Sequence, residues 1–163
     1  MRQIFLSFLG IGYLKPAPGT WGSLAAVPAG ILLITIGGPM LLIAAALVIY
    51  FSGVSAVRIE AEISGAHDPG WIVIDEVVGQ WIALLPVALG VMRTGLSPLD
   101  FWPGIVSAFV FFRLFDIWKP GPVGRADARD DAVGVMLDDV WAGVFAAICV
   151  SLLAAIAHLG FAI

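Results

Sequence analysis

Apolar residues dominate this chain almost without interruption, broken only by glycine, proline and a few acids. Continuous apolar runs fall at about residues 22–36, 40–57, 71–92, 101–118 and 140–162. An α-helix needs roughly 17 to 25 such residues to cross the hydrocarbon layer of a bilayer. The pattern predicts an all-α, polytopic membrane helical bundle with about five spans. The first run is short, but a start at Thr20 gives about 17 residues and ~25 Å, near the lower limit for crossing. Gly37-Gly38-Pro39 predicts a tight turn, so that spans one and two form a helical hairpin.

Composition agrees with a membrane protein of one domain, residues 1–163: 61% of the residues are hydrophobic and 12% charged, against roughly 25% charged in soluble domains. The net charge of −4 argues against a nucleic-acid partner. The first residues, MRQIFLSFLG, lack a small-residue cleavage site before a polar domain, so no cleaved signal peptide is expected. The single cysteine, Cys149, excludes an internal disulfide, a cysteine-rich metal site and a Cys-x5-Arg phosphatase loop. It reads as a small packing residue in a helix.

Charge placement orients the bundle. With a cytoplasmic N-terminus and five crossings, Arg2, Lys15, Arg58, Arg113, Lys119, Arg125 and Arg129 face the cytoplasm and Arg93 alone faces outward. That distribution obeys the positive-inside rule, whereas a single broken span over residues 24–57 would place five of the eight cations outside. Almost all charge then shares one membrane face.

Four polar pieces meet at that face: GYLKPAPGTWGS (Gly12 to Ser23), HDPGWIVIDEVVG (His67 to Gly79), FFRLFDIWKP (Phe111 to Pro120) and GVMLDDVWAG (Gly134 to Gly143). In the first, Thr20 or Ser23 can cap a helix behind Lys15, and free N–H groups beside a cation suit a phosphate; a plain capped helix is the alternative. In the second, Asp75 and Glu76 fall about one turn past an interfacial Trp71, where adjacent acids are costly unless they reach water or a divalent cation. In the third, Arg113 and Asp116 share a helical face at i and i+3, as an ion pair or as part of a site, and Lys119 follows. In the fourth, Asp138 and Asp139 open the last span, one more acid than capping requires.

Asp75, Glu76, Asp116, Asp138 and Asp139 form an all-oxygen donor set with only His67 as a nearby imidazole, which suits Mg²⁺ better than zinc or copper. Lys15, Arg113 and Lys119 add positive charge, so the complementary ligand is an anion that also binds metal, as a phosphate does. His67, next to Asp68, reads either as a general acid or base or as a hydrogen-bonded loop residue. His158 lies ~28 Å beyond Asp139 along a helix, at the opposite face, and receives no role.

Taken together, P-G-T-W-G-S, I-D-E-V-V-G, F-R-L-F-D-I-W-K-P and M-L-D-D-V-W-A-G resemble the phosphatidylglycerophosphatase A family in order and spacing, over nearly the whole chain. The resemblance implies a Mg²⁺-dependent phosphatase of bacterial membranes that converts phosphatidylglycerophosphate to phosphatidylglycerol at the cytoplasmic leaflet of the inner membrane. It carries Asp75, Glu76, Asp116, Asp138 and Asp139 over as metal-site residues. Lys15, Thr20, Ser23, Arg113 and Lys119 are carried over to the phosphate side. Arg129-Asp130-Asp131-Ala132-Val133 departs from the glycine-rich approach the family leads one to expect.

Monoester hydrolysis requires neutralised equatorial oxygens and a placed nucleophile. The nucleophile is either water or an aspartate, and the absence of a D-x-D-x-[TV] pattern favours water. A CDP-alcohol phosphotransferase is a competing class, but Ala128-Arg129 lacks the preceding Asp-Gly and the acidic ladder that should follow. A cation transporter would hold its acids near the midplane, often within inverted repeats, and this chain has no such repeat.

Overall fold

The computed structural model describes residues 1–66 and 69–160. His67 and Asp68, whose part the sequence leaves open, lie outside the described residues. Among the described residues there is no strand. The helices are α1 (Arg2–Leu6), α2 (Pro18–Ser64), α3 (Ile74–Ala83), α4 (Leu85–Thr94), α5 (Trp102–Trp118), α6 (Pro122–Asp127) and α7 (Ala132–Gly160), with 3-10 turns at Ile11–Tyr13 and Pro98–Phe101.

The long α2 is two arms, because Gly38 takes φ 61°, ψ −155° and Pro39 follows it. Gly22 on the first arm packs against Val73, and Gly53 on the second packs against Ile74. On a straight helix those two glycines would stand ~46 Å apart. The chain therefore doubles back at Gly38, where the Gly37-Gly38-Pro39 turn was predicted. Among the described residues, three elements are long and apolar enough to cross a membrane (Pro18–Ser64, Pro98–Trp118 and Ala132–His158), and α3 with α4 is a bent fourth.

Two sequence expectations are corrected here. The run 71–92 is not one straight span but two ten-residue helices that meet at Leu84 with a 42° bend. Pro86 has no N–H to bond the Ile82 carbonyl, and its ring crowds the preceding turn. Nor do Asp138 and Asp139 open the last span, because the chain is already helical before them. Lys119 (φ 51°) and Gly121 (φ 53°) reverse the chain, and α6 follows. Then Asp131 Oδ1 accepts the Gly134 N–H at 2.7 Å, capping a helix that starts at Ala132. Asp138 and Asp139 consequently sit well inside α7 and have no capping duty.

Helix α3 is the central element, with Ile74, Asp75, Val77, Val78, Gly79, Gln80, Trp81 and Ala83 all buried. Inside a bilayer there is no hydrophobic drive between helices, so close packing at small residues and interhelical hydrogen bonds hold them. Gly22, Gly30, Gly79 and Gly143 each lie against another element with no room for a Cβ. The Trp81 indole donates to the Ala26 carbonyl at 2.9 Å. At the end of the bundle where α3 begins, Arg2 pairs with buried Glu60 at 2.8 Å, and Leu6 accepts the Val73 N–H at 2.9 Å.

Candidate active site at one end of the bundle

The first turn of α3 presents Asp75 and Glu76, and the second turn of α7 presents Asp138 and Asp139. The last turns of α5 bring Arg113 and Asp116, and the first turns of α2 bring Gly19 and Ser23. Asp75, Glu76 and Asp139 each place one carboxylate oxygen within 4.8 Å of the others. Asp116, Asp138 and Asp139 do the same, so Asp139 belongs to both groups.

Local bonds orient these acids. Asp75 Oδ1 accepts the Glu76 N–H at 3.0 Å, and Asp138 Oδ1 accepts the Asp139 N–H at 2.9 Å. Arg113 Nη1 meets Asp116 Oδ2 at 2.5 Å and donates to Ser23 Oγ at 3.3 Å, while Ser23 Oγ donates to the Gly19 carbonyl at 2.7 Å. Gly19 lies so close to Glu76 that a Cβ there would overlap Oε1. Lys119 pairs with Asp127 and, at 3.1 Å, with Asp138. Burial pushes the Lys119 pKa down, but the Asp127 hydrogen bond and the Asp138 charge outweigh it and hold the pKa above the ordinary lysine value.

Among the described residues, the buried side-chain polar atoms without a partner are Glu76 Oε2, Asp139 Oδ1, Arg113 Nε and both Nε2 and Oε1 of Gln80. Leaving such atoms unpaired costs free energy, so those of Glu76, Asp139 and Arg113, which belong to or border the acid groups, mark where a polar ligand belongs. Orphaned carboxylate oxygens in an all-oxygen donor set fit a hard divalent cation such as Mg²⁺.

The phosphatidylglycerophosphatase A family model matches residues 4–154. The chain belongs to this family. Phosphatidylglycerophosphatase A of Haemophilus influenzae is 36% identical over 142 residues, covering 86% of this chain and 81% of the relative. The Escherichia coli protein of the same name is 35% identical over 139 residues, covering 85% and 74%. A Bacteroides thetaiotaomicron protein named "Putative phosphatidylinositol-3-phosphatase" is 37% identical over 147 residues, covering 87% and 86%. No solved structure matches the chain significantly.

Within this member of the family, the structure brings together Asp75, Glu76, Asp116, Asp138, Asp139, Arg113 and Ser23, with Lys119 attached through Asp138. Lys15 is exposed and makes no ion pair or hydrogen bond with the described residues, and Thr20, half-buried, makes no side-chain hydrogen bond with them. Neither Thr20 nor Ser23 caps α2, whose N-cap is Ala17, because Pro18 takes the first helical position and places both residues inside the helix. Asp131 is a helix cap paired with Arg129 at 2.6 Å, away from the acid groups. Gln80 and Asp127 went unnoticed in the sequence. Gln80 had a legible signal, a lone amide four residues past Glu76 in an apolar helix.

Proposed function

We propose that this protein is a Mg²⁺-dependent phosphatase that hydrolyses phosphatidylglycerophosphate to phosphatidylglycerol and inorganic phosphate, serving phospholipid biosynthesis in the bacterial inner membrane. The observation that carries this reading is the set of orphaned polar atoms on Glu76, Asp139 and Arg113 inside a group of five acids, in a member of this family.

The whole chain acts as one domain that crosses the membrane five times: the two arms of α2, the α3/α4 pair, α5 and α7. Support comes from which ends gather at the site, namely the starts of α2, α3 and α7 and the end of α5. The cation count then turns that end toward the cytoplasm. A lipid anchored in that leaflet meets the site without leaving the bilayer.

Asp75, Glu76, Asp116, Asp138 and Asp139 hold the metal. When bound, Mg²⁺ supplies charge neutralisation at the phosphoryl oxygens and acidifies a water. Arg113 is anchored through Nη1 by Asp116 and Ser23, which leaves Nε for a phosphoryl oxygen. Ser23 thus works through Arg113. Lys119, kept cationic by Asp127 and Asp138, and exposed Lys15 draw the anionic headgroup in, and Thr20 lines the same end of α2. Water attacks phosphorus in line with the glycerol oxygen, a site carboxylate takes the water's proton, and as the P–O bond to glycerol breaks that proton passes to the departing glycerol oxygen, giving phosphatidylglycerol and inorganic phosphate.

Purified protein in lipid–detergent micelles should release inorganic phosphate from phosphatidylglycerophosphate only with Mg²⁺. Faster release from phosphatidylinositol 3-phosphate would move the protein to the substrate class in the Bacteroides relative's name. No release from either lipid would overturn the reading.

A further inference from the structure

Gln80 is fully buried, yet neither its amide nitrogen nor its carbonyl oxygen has a partner among the described residues. A leucine of similar size would fill the space without that cost, so a carboxamide here points to something other than packing. On α3, Gln80 follows Glu76 by four residues and therefore shares its face. Helical side chains lean toward the helix N-terminus, so the Gln80 side chain leans over the turn that carries Glu76.

The neighbouring positions fix the rotation. Gly79, one residue earlier, packs on the Phe112 ring and the Asp139 carbonyl, whereas Trp81, one residue later, reaches Ala26 on the first arm of α2. Gln80 lies between them, facing the seam of α5 and α2 from which Arg113 and Ser23 enter the site. Glu76 Oε2, Asp139 Oδ1 and Arg113 Nε are likewise buried without a partner among the described residues.

Chemically, this position is distinct from the others. The acids can only accept and the cations can only donate, but a carboxamide does both without adding a charge that burial would penalise. We infer that Gln80 is a substrate-contacting residue: Nε2 donates to an oxygen of the bound phosphate monoester, and Oε1 accepts from a water beside it. This rests on the phosphatase reading of the site.

The chain has two glutamines, Gln80 and the exposed Gln3, which makes the test direct. Full-length protein carrying ¹⁵N in its glutamine side-chain amides gives two NH₂ pairs, assigned with Gln3→Ala. Inorganic phosphate is titrated in the presence of Mg²⁺, with binding followed in parallel by calorimetry. The Gln80 pair should shift and saturate at the calorimetric midpoint while the Gln3 pair stays in place. Gln80→Met, similar in length and apolar, should keep its Tm and its affinity for Mg²⁺ alone but bind phosphate about tenfold more weakly or worse, as loss of a hydrogen bond to a charged group predicts. If phosphate binds and the Gln80 pair does not move, the inference fails and the phosphatase reading stands. A Gln80 pair that completes its shift with Mg²⁺ alone would place the residue on the cation and also overturn the inference. Wild-type protein that binds no phosphate would overturn the inference and leave the phosphatase reading to the phosphate-release assay. Should Gln80→Met not fold, the amide titration of the unaltered protein still decides.

Discussion

Gly79 of α3 and Gly143 of α7 meet backbone to backbone, so closely that a Cβ on Gly143 would overlap the Gly79 carbonyl oxygen. Asp75 precedes the first of these glycines by one helical turn and Asp139 precedes the second by the same interval, so the two helices run parallel away from the shared carboxylates. The spacing of the acid cluster is set by this crossing.

Gly143→Ala should force α3 and α7 apart. Overpacking of this kind costs about 1–3 kcal/mol. The expected result is a lower Tm in detergent together with weaker Mg²⁺ binding. Gly70→Ala, where a Cβ meets nothing within 4 Å, should change neither.

Asp139 serves both carboxylate groups, so Asp139→Asn should impair Mg²⁺ binding more than Asp75→Asn or Glu76→Gln. Outer-shell changes at metal sites cost roughly 10–100-fold, and loss of a ligand should exceed that. A Mg²⁺ titration of phosphate release after chelator treatment measures the order. Near-normal rates with unchanged midpoints for Asp75→Asn and Glu76→Gln would take that pair out of the active site.

Arg113 reaches Asp116 and Ser23 through one nitrogen and keeps Nε unpaired. Lysine retains the charge but cannot present two donors in a fixed plane. Arg113→Lys should therefore lower kcat/KM by about 100-fold, on the scale of losing one electrostatic donor. Ser23→Ala, which loosens the guanidinium without removing it, should cost less. Wild-type kinetics in Arg113→Lys would make Arg113 a structural ion-pair partner.

Asp131 supports the start of α7 and stands outside the acid groups, so Asp131→Ala should lower Tm while leaving phosphate release intact. Its hydrogen bond to Arg129 holds the Asp131 carboxyl below the ordinary aspartate value of 3.8. A depressed acid pKa means that the stabilisation is present above the unfolded value and is lost as pH falls through the folded one. The Tm gap between wild type and Asp131→Ala should stay constant from about pH 5 to 8 and close in stronger acid.

Topology is open to labelling in a Cys149→Ala background. A cysteine at exposed Asp130 should stay unlabelled by an impermeant reagent applied to intact cells, whereas one at exposed Leu96 should react. The reverse pattern would place the site on the outer face.

The sequence by itself determined the helical class, the fold-back at Gly37-Gly38-Pro39 and the four polar pieces whose oxygen donors suit a hard cation. Those features are local: apolar run length, φ-permissive glycine and residue type act within a few positions of one another. Even the Arg113–Asp116 pair was legible, since i and i+3 share a helical face. The tertiary structure alone decided that Asp139 joins both acid groups, that Ser23 braces Arg113 in place of capping a helix, and that Gln80 is buried without a partner among the described residues. Periodicity reveals a helix's buried face only when the opposite face must be polar. Here both faces of most helices are apolar, as in Phe51, Leu152 and Ile156 outside and Leu42, Val150 and Ala146 inside. The packing partner of each helix is therefore chosen by close contacts at Gly19, Gly79 and Gly143, which depend on shape across the chain and leave no repeating pattern along it.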